Sequence, residues 1–199
     1  MSTPLQKYQQ DLTRDDFQFD AAQQHAVNQL QRLFDDFVGR TPAKASLWQK
    51  LTGKGAGQQP LKGLYFWGGV GRGKTYLVDT FYECLPTQRK LRIHFHRFMH
   101  KVHDELKTLG GVADPLKVVA DRFKAETDIL CFDEFFVSDI TDAMILGTLM
   151  QELFARGITL VATSNIAPDG LYKNGIHRDR FLPTIEMVKK NCVILNVDA

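Results

Sequence analysis

Apolar residues follow two rhythms along the chain: every three to four positions in some stretches, and almost unbroken over five or six in others. From Asp20, which suits an N-cap, the positions Ala21, Val27, Leu30, Phe34, Phe37 and Val38 keep helical spacing until Gly39 stops them. Before that helix, residues 1 to 19 are polar, with Phe17 and Phe19 as bulky anchors, and are predicted to form an extended or loosely ordered arm. After it, Leu47, Trp48 and Leu51 predict one short helix before a loop holding Gly53, Gly55, Gly57 and Pro60.

The second rhythm begins at Leu64-Tyr65-Phe66-Trp67, a strand, followed by a helix that ends near Cys84, before Pro86. Lys90 to Phe95 alternates polar and apolar residues as a half-buried strand does, then changes to a helix running to about Leu109, where Gly110 and Gly111 end it. Asp114 as cap and Pro115 at the first position open another helix, to about Ala125. Apolar strands follow at Asp128–Glu134, Ile158–Thr163 and Cys192–Val197, separated by a strong helix from Asp139 to Arg156 and a short helical run from Pro168 to Gly175. Nearly continuous apolar strands alternating with helices imply an α/β fold, a mostly parallel sheet covered on both faces, with ligands bound beyond the carboxyl ends of the strands.

Composition narrows this picture modestly. A chain of 199 residues that is 44% hydrophobic can bury one ordinary core, and 25 Lys and Arg against 23 Asp and Glu give a net charge of +2, too little to argue for a nucleic-acid surface. Cys84, Cys131 and Cys192 are odd in number and widely spaced, which reads as reduced thiols of a cytosol-like compartment. The start of the chain carries Asp11, Asp15 and Asp16 and resembles neither a signal nor a transit peptide. No apolar run is long enough to span a bilayer, which leaves only peripheral membrane contact open.

The chemistry concentrates where the first strand meets its helix. Gly68-Gly69-Val70-Gly71-Arg72-Gly73-Lys74-Thr75 fits G-x-x-x-x-G-K-[ST], a phosphate-binding P-loop in its required strand-to-helix setting, and Tyr76 follows as part of the same nucleotide-binding stretch. Backbone N–H groups and the helix dipole would cradle the phosphates, Lys74 would reach the β- and γ-phosphates, and the Thr75 hydroxyl would hold Mg²⁺. Asp133 and Glu134 end an apolar strand at the same end of the sheet. Asp133 suits the metal, and Glu134 suits the proton of an attacking water, which points to ATP hydrolysis. Asn165 can position that water or touch the γ-phosphate. Arg178 and Arg180 can act as a finger in a neighbouring copy's site. His94, His96, His100 and His103 cluster, but no Asp or Cys completes a four-ligand metal set, and basic neighbours such as Arg92 and Arg97 leave a nucleic-acid or polypeptide contact open.

Several of these stretches together resemble one family. Lys62 to Thr75, His94-Phe95-His96-Arg97-Phe98-Met99, Leu130 to Phe135, Ala162-Thr163-Ser164-Asn165 and Leu171-Tyr172 look like the ZapE cell-division ATPase family, which includes the mitochondrial Afg-type proteins. The resemblance runs from about Phe19 onward and implies an AAA+ P-loop NTPase core, a three-layer αβα fold that hydrolyses ATP with Mg²⁺. It also implies a nucleotide-dependent homo-oligomer, a cytoplasmic place at the division site on the inner face of the membrane, and a tubulin-like division protein as partner. By resemblance, Lys74 and Thr75 match the Walker A pair, Asp133 and Glu134 the Walker B pair, and Asn165 the sensor 1 position. Arg178, before Phe181-Leu182-Pro183, is preferred over Arg180 as the finger, and Gln23 matches a glutamine that could read the adenine edge.

The expected organisation is an N-terminal arm, helix and linker over 1–61 and a nucleotide-binding core over 62–199. The helical lid that follows such cores is expected to be absent, with weak ATP binding and slow turnover as the result. Two other readings stay open. One is a nucleic-acid-associated ATPase of the helicase-loader kind, and the other is a nucleotide-gated interaction module with negligible turnover.

Overall fold

The computed structural model describes residues 1–40, 59–71 and 73–198. Arg72 and the helix expected around Leu47, Trp48 and Leu51 lie outside the described residues. The chain forms α1 (Pro4–Asp11), α2 (Ala21–Gly39), β1 (Gly63–Trp67), α3 (Lys74–Cys84), β2 (Lys90–His94), α4 (Phe95–Lys107) and α5 (Pro115–Glu126). Then come β3 (Ile129–Asp133), α6 (Ile140–Ala155), β4 (Thr159–Ser164), α7 (Arg178–Asn191) and β5 (Cys192–Asn196).

All strand pairs are parallel, in the order β2-β3-β4-β1-β5. Because strand side chains alternate between faces, the sheet sorts its apolar residues into two clusters. Leu64, Phe66, Ile129, Cys131 and Val161 face α2 and α3 on one side. Tyr65, Leu130, Phe132, Leu160 and Ala162 face α4, α5, α6 and α7 on the other. The two edge strands, β2 and β5, are less than fully covered; Lys90, Arg92 and His94 of β2 share the face toward α3.

Four local expectations change. Residues 4–11 are helical rather than extended, because Thr3 and Gln6 form a reciprocal capping box, Pro4 takes the first turn and Tyr8 is fully buried beside Phe17. The helical run at Pro168 stops at Gly170 as a single 3₁₀ turn, since Tyr172, Asn174 and His177 all adopt left-handed backbone. A further helix, α7, then forms through Pro183, burying Phe181, Thr184, Ile185 and Val188 at i, i+3, i+4, i+7 spacing. Asp114 stands at the N-cap of α5 but in left-handed backbone, and its side chain caps nothing.

Cys131 and Cys192 are buried, and burial pushes both thiols up to about 12. Cys84 is only half buried. A thiol-labelling time course on the native protein is therefore expected to show one reactive cysteine, Cys84, and all three after denaturation.

Candidate functional site

The connection leaving β1 travels to the β2 edge and the one leaving β4 travels to the β5 edge. The crevice between the ends of these adjacent strands is thus a topological switch point, where ligands of open parallel sheets bind. The glycine loop follows β1 there. Gly73 has φ 78°, and a Cβ on it would lie 2.7 Å from the Gln23 side-chain nitrogen, so a residue without a side chain is needed at that point. The same contact puts Gln23, set by the Asp20 cap at the start of α2, against the loop.

Lys74 opens α3 and curls back over the loop. Its ammonium donates to the carbonyls of Gly68 (2.5 Å) and Gly69 (2.8 Å) and, across the crevice, to Asn165 Oδ1 (3.2 Å). Desolvation lowers the Lys74 pKa, while the nearby Asp198 charge works in the opposite direction. The Gly69 N–H donates to the Asp198 carboxylate (3.0 Å to Oδ1), so an acidic oxygen already meets one of the loop's amides. Tyr76 turns its ring away from the loop, against Phe17, and its hydroxyl donates to Asp11 (2.6 Å).

The other wall comes from β3 and β4. The Phe135 N–H donates to Thr163 O (2.8 Å), the Ser164 hydroxyl donates to Phe135 O (2.7 Å), and the Glu134 N–H reaches Thr163 Oγ1 (3.3 Å). These bonds hold Glu134 at φ 54°, unusual for a residue with a side chain, and leave that side chain 80% exposed. Its carboxylate lies 3.7 Å from His94 Nδ1. Asp133, by contrast, is 16% exposed and held by a two-pronged Arg92 guanidinium, at 2.8 Å (Nε to Oδ2) and 3.2 Å (Nη2 to Oδ1). Lys74, Thr75, Asp133, Glu134, Asn165 and Arg92 together line a cleft of ≈ 370 Å³.

Lys74, Thr75, Asp133, Glu134 and Asn165, all named from sequence, therefore converge on one cleft. Arg178 does not join them. It begins α7, and its guanidinium donates to the Asp169 (2.5 Å) and Leu171 (3.2 Å) carbonyls. The histidines disperse to separate acids: His94 to Glu134, His100 to Asp104 and His103 to Asp142, and no metal-holding group of three appears among the described residues. Phe135 is core and Phe136 is 55% exposed. Sequence reasoning named Arg92 only as a basic neighbour of the histidines and gave no role to Asp79 or Asp198. Arg92 was visible beside Lys90 in the polar phase of β2, whereas a lone aspartate after β5 carries no signal.

A central β1 bearing the glycine loop, flanked by β4 and β5 in an all-parallel β2-β3-β4-β1-β5 sheet, is the arrangement of the AAA+ class of P-loop proteins. Solved members share it. A DnaI structure superposes with TM-score 0.62 at 17% identity over 92% of this chain and 88% of that one, and an AMPPCP-bound DnaA from Aquifex aeolicus with 0.59 at 14% over 92% and 49%. These likenesses are of fold alone. In sequence, the family model for AFG1-like ATPases matches residues 2–199. The chain is 55% identical over 205 residues to the cell division protein ZapE of Escherichia coli K12, and 43% identical over 150 residues to lactation elevated protein 1 homolog B of Danio rerio. The chain belongs to the AFG1-like ATPase family. It spans 55% of the length of the Escherichia coli relative, which matches 99% of this chain, and 30% of the Danio rerio one, which matches 70%. No helix among the described residues is long and apolar enough to cross a membrane.

Proposed function

We propose that the protein hydrolyses ATP in this cleft, as an Mg²⁺-dependent ATPase of cell division. The observation that carries the reading is the meeting of Lys74 and Asn165 across the crevice, 3.2 Å apart, with Asp133 and Glu134 beside them. The residues fit the ligands. A glycine-rich loop at a helix N-terminus and one lysine suit phosphate, Gln23 beside Gly73 suits the base, and the Thr75 hydroxyl with the Asp133 carboxylate gives the hard oxygen set that Mg²⁺ prefers. Bound there, Mg²⁺ supplies positive charge to the phosphoryl oxygens. Lys74 and the loop hold the phosphates, Glu134 takes the proton of the attacking water, and Asn165 orients that water. The 55% identity to a cell division protein supports the cellular role, with the tubulin-like division protein as proposed partner at the inner face of the membrane.

Hydrolysis between copies of the chain is part of the same proposal. Arg178, the finger by resemblance, commits its guanidinium to its own chain's carbonyls, while Arg180 is exposed and its side chain has no partner among the described residues. Ile176 and Leu182, 66% and 43% exposed, flank it with apolar surface suited to a second copy. Arg178 then shapes the segment that presents Arg180. Phosphate release per chain is expected to rise with protein concentration, and Arg180→Ala mixed into wild type should depress it beyond simple dilution. Arg178→Ala should do the same and also lower stability by about 1 kcal/mol, the worth of its carbonyl bonds. Activity strictly proportional to concentration, and indifferent to mixing, would rule out a site shared between copies; no phosphate release in wild type would remove the ATPase reading altogether.

A further inference from the structure

Arg92 sits between two carboxylates. It pairs across the sheet with Cys131 and points to the α3 face, where its fork holds Asp133, while its remaining Nη1 donates to Asp79 on α3. Asp79 lies one helical turn beyond Thr75, so the two share a face of α3. Arg92 is 19% exposed and Asp133 16%, whereas Asp79 is 47% exposed. The inner carboxylate thus has a dedicated cationic partner, and that partner has a second, more open acceptor already in contact.

A carboxylate gripped by a guanidinium fork offers a divalent cation little charge and few free lone pairs. We propose that Arg92 is a movable counter-ion of the metal site: it neutralises Asp133 when no cation is bound, and shifts its hold to Asp79 when Mg²⁺ enters with the nucleotide. The geometry makes the exchange short, because one guanidinium already spans both acids and only the Asp133 prongs must open. An arginine guanidinium stays protonated in a folded protein, and this one donates to both Asp133 and Asp79, so it can leave Asp133 only by moving and not by losing its proton. Arg92 is accordingly a positioning residue, acting on the metal through Asp133. Asp79, outside the phosphate cradle, sets how readily the exchange happens.

This inference rests on the reading of Lys74, Thr75 and Asp133 as the site of ATP and Mg²⁺. The quantity that tests it is the factor by which Mg²⁺ strengthens binding, measured by titrating a fluorescent ATP analogue into the protein in Mg²⁺ and in EDTA, with no turnover required. In Arg92→Gln the cation no longer has a competitor, and the factor should rise about tenfold, the effect of one opposing charge at this range. In Asp79→Asn the arginine loses its second negative charge, keeps only a neutral acceptor there and stays on Asp133, so the factor should fall about threefold. Arg92→Lys keeps the charge without the fork and should lie between wild type and Arg92→Gln. Opposite shifts in the two principal variants, each with a cooperative thermal transition, establish the exchange. Shifts in the same direction, or an unchanged factor with both nucleotide affinities lowered equally, would overturn it and leave Arg92 as a strut or a phosphate ligand. Wild type showing no Mg²⁺ enhancement, and no loss of binding in Lys74→Ala, would instead defeat the underlying site assignment and this inference with it.

Discussion

Glu134→Gln is expected to lower phosphate release by about 10² to 10⁴-fold while changing nucleotide affinity by less than about threefold. The carboxylate is 80% exposed over the cleft, with the His94 ring nitrogen Nδ1 3.7 Å away. Nothing in the packing depends on it. Its direction is set by the backbone, held left-handed by the bonds that fix Glu134 and Phe135 to Thr163. Glutamine keeps the size and the backbone bonds and removes only the capacity to accept a proton. Measured side by side, phosphate release and nucleotide titration separate the two contributions. A variant that retained more than a third of wild-type turnover would take the role of base away from Glu134 and transfer it to another group in the cleft.

The largest effect on stability is expected from Phe132→Ala, about 3 to 5 kcal/mol. Phe132 is fully buried, and its ring centroid lies 4.6 Å from that of Phe98, 5.4 Å from Phe95 and 5.7 Å from Phe135. Its removal would leave a void among rings that are anchored on β3, α4 and the segment after β3, and so cannot all move inward. Against a typical total of about 5 to 15 kcal/mol, such a loss brings the midpoint of urea unfolding down sharply. Because Phe132 precedes Asp133 directly, nucleotide affinity should weaken as well. A midpoint within experimental error of wild type would mean that this cluster repacks.

The strands, α2 and the helices α3 to α6 were legible because burial on one or both faces imposes a period that a single chain displays. Leu64 to Trp67 and Ile129 to Asp133 needed only apolar continuity and a terminal signal. The convergence of Lys74, Asp133 and Asn165 was legible for the same reason: a parallel sheet delivers all its strand ends to one side. The α1 helix was missed since its apolar contribution rests mainly on Tyr8, and its stability comes from a capping box rather than from periodicity. Pro183 concealed α7. It stands inside the helix on an exposed position, where it forfeits one i→i−4 bond, while Phe181, Ile185 and Val188 stay buried. The grip of Arg92 on Asp133 lay beyond any local pattern, because it joins residues 41 apart whose contact exists only once β2 and β3 lie side by side.

The sheet's sorting of its two faces has a mechanical consequence. The helices that carry Gln23 and Lys74, α2 and α3, lie on one side, and α6 and α7, whose start bears Arg178 and Arg180, lie on the other. The partition between them is stiff, five strands of five or six residues each, bonded edge to edge. A push on the α7 side cannot reach Lys74 through soft side chains. It has to tilt the whole plate or travel around its rim, where the Gly68 N–H bonds the Ser164 carbonyl and Lys74 reaches Asn165. On the proposal that a second copy meets Arg180, its push would thus arrive at the glycine loop as a rigid rotation.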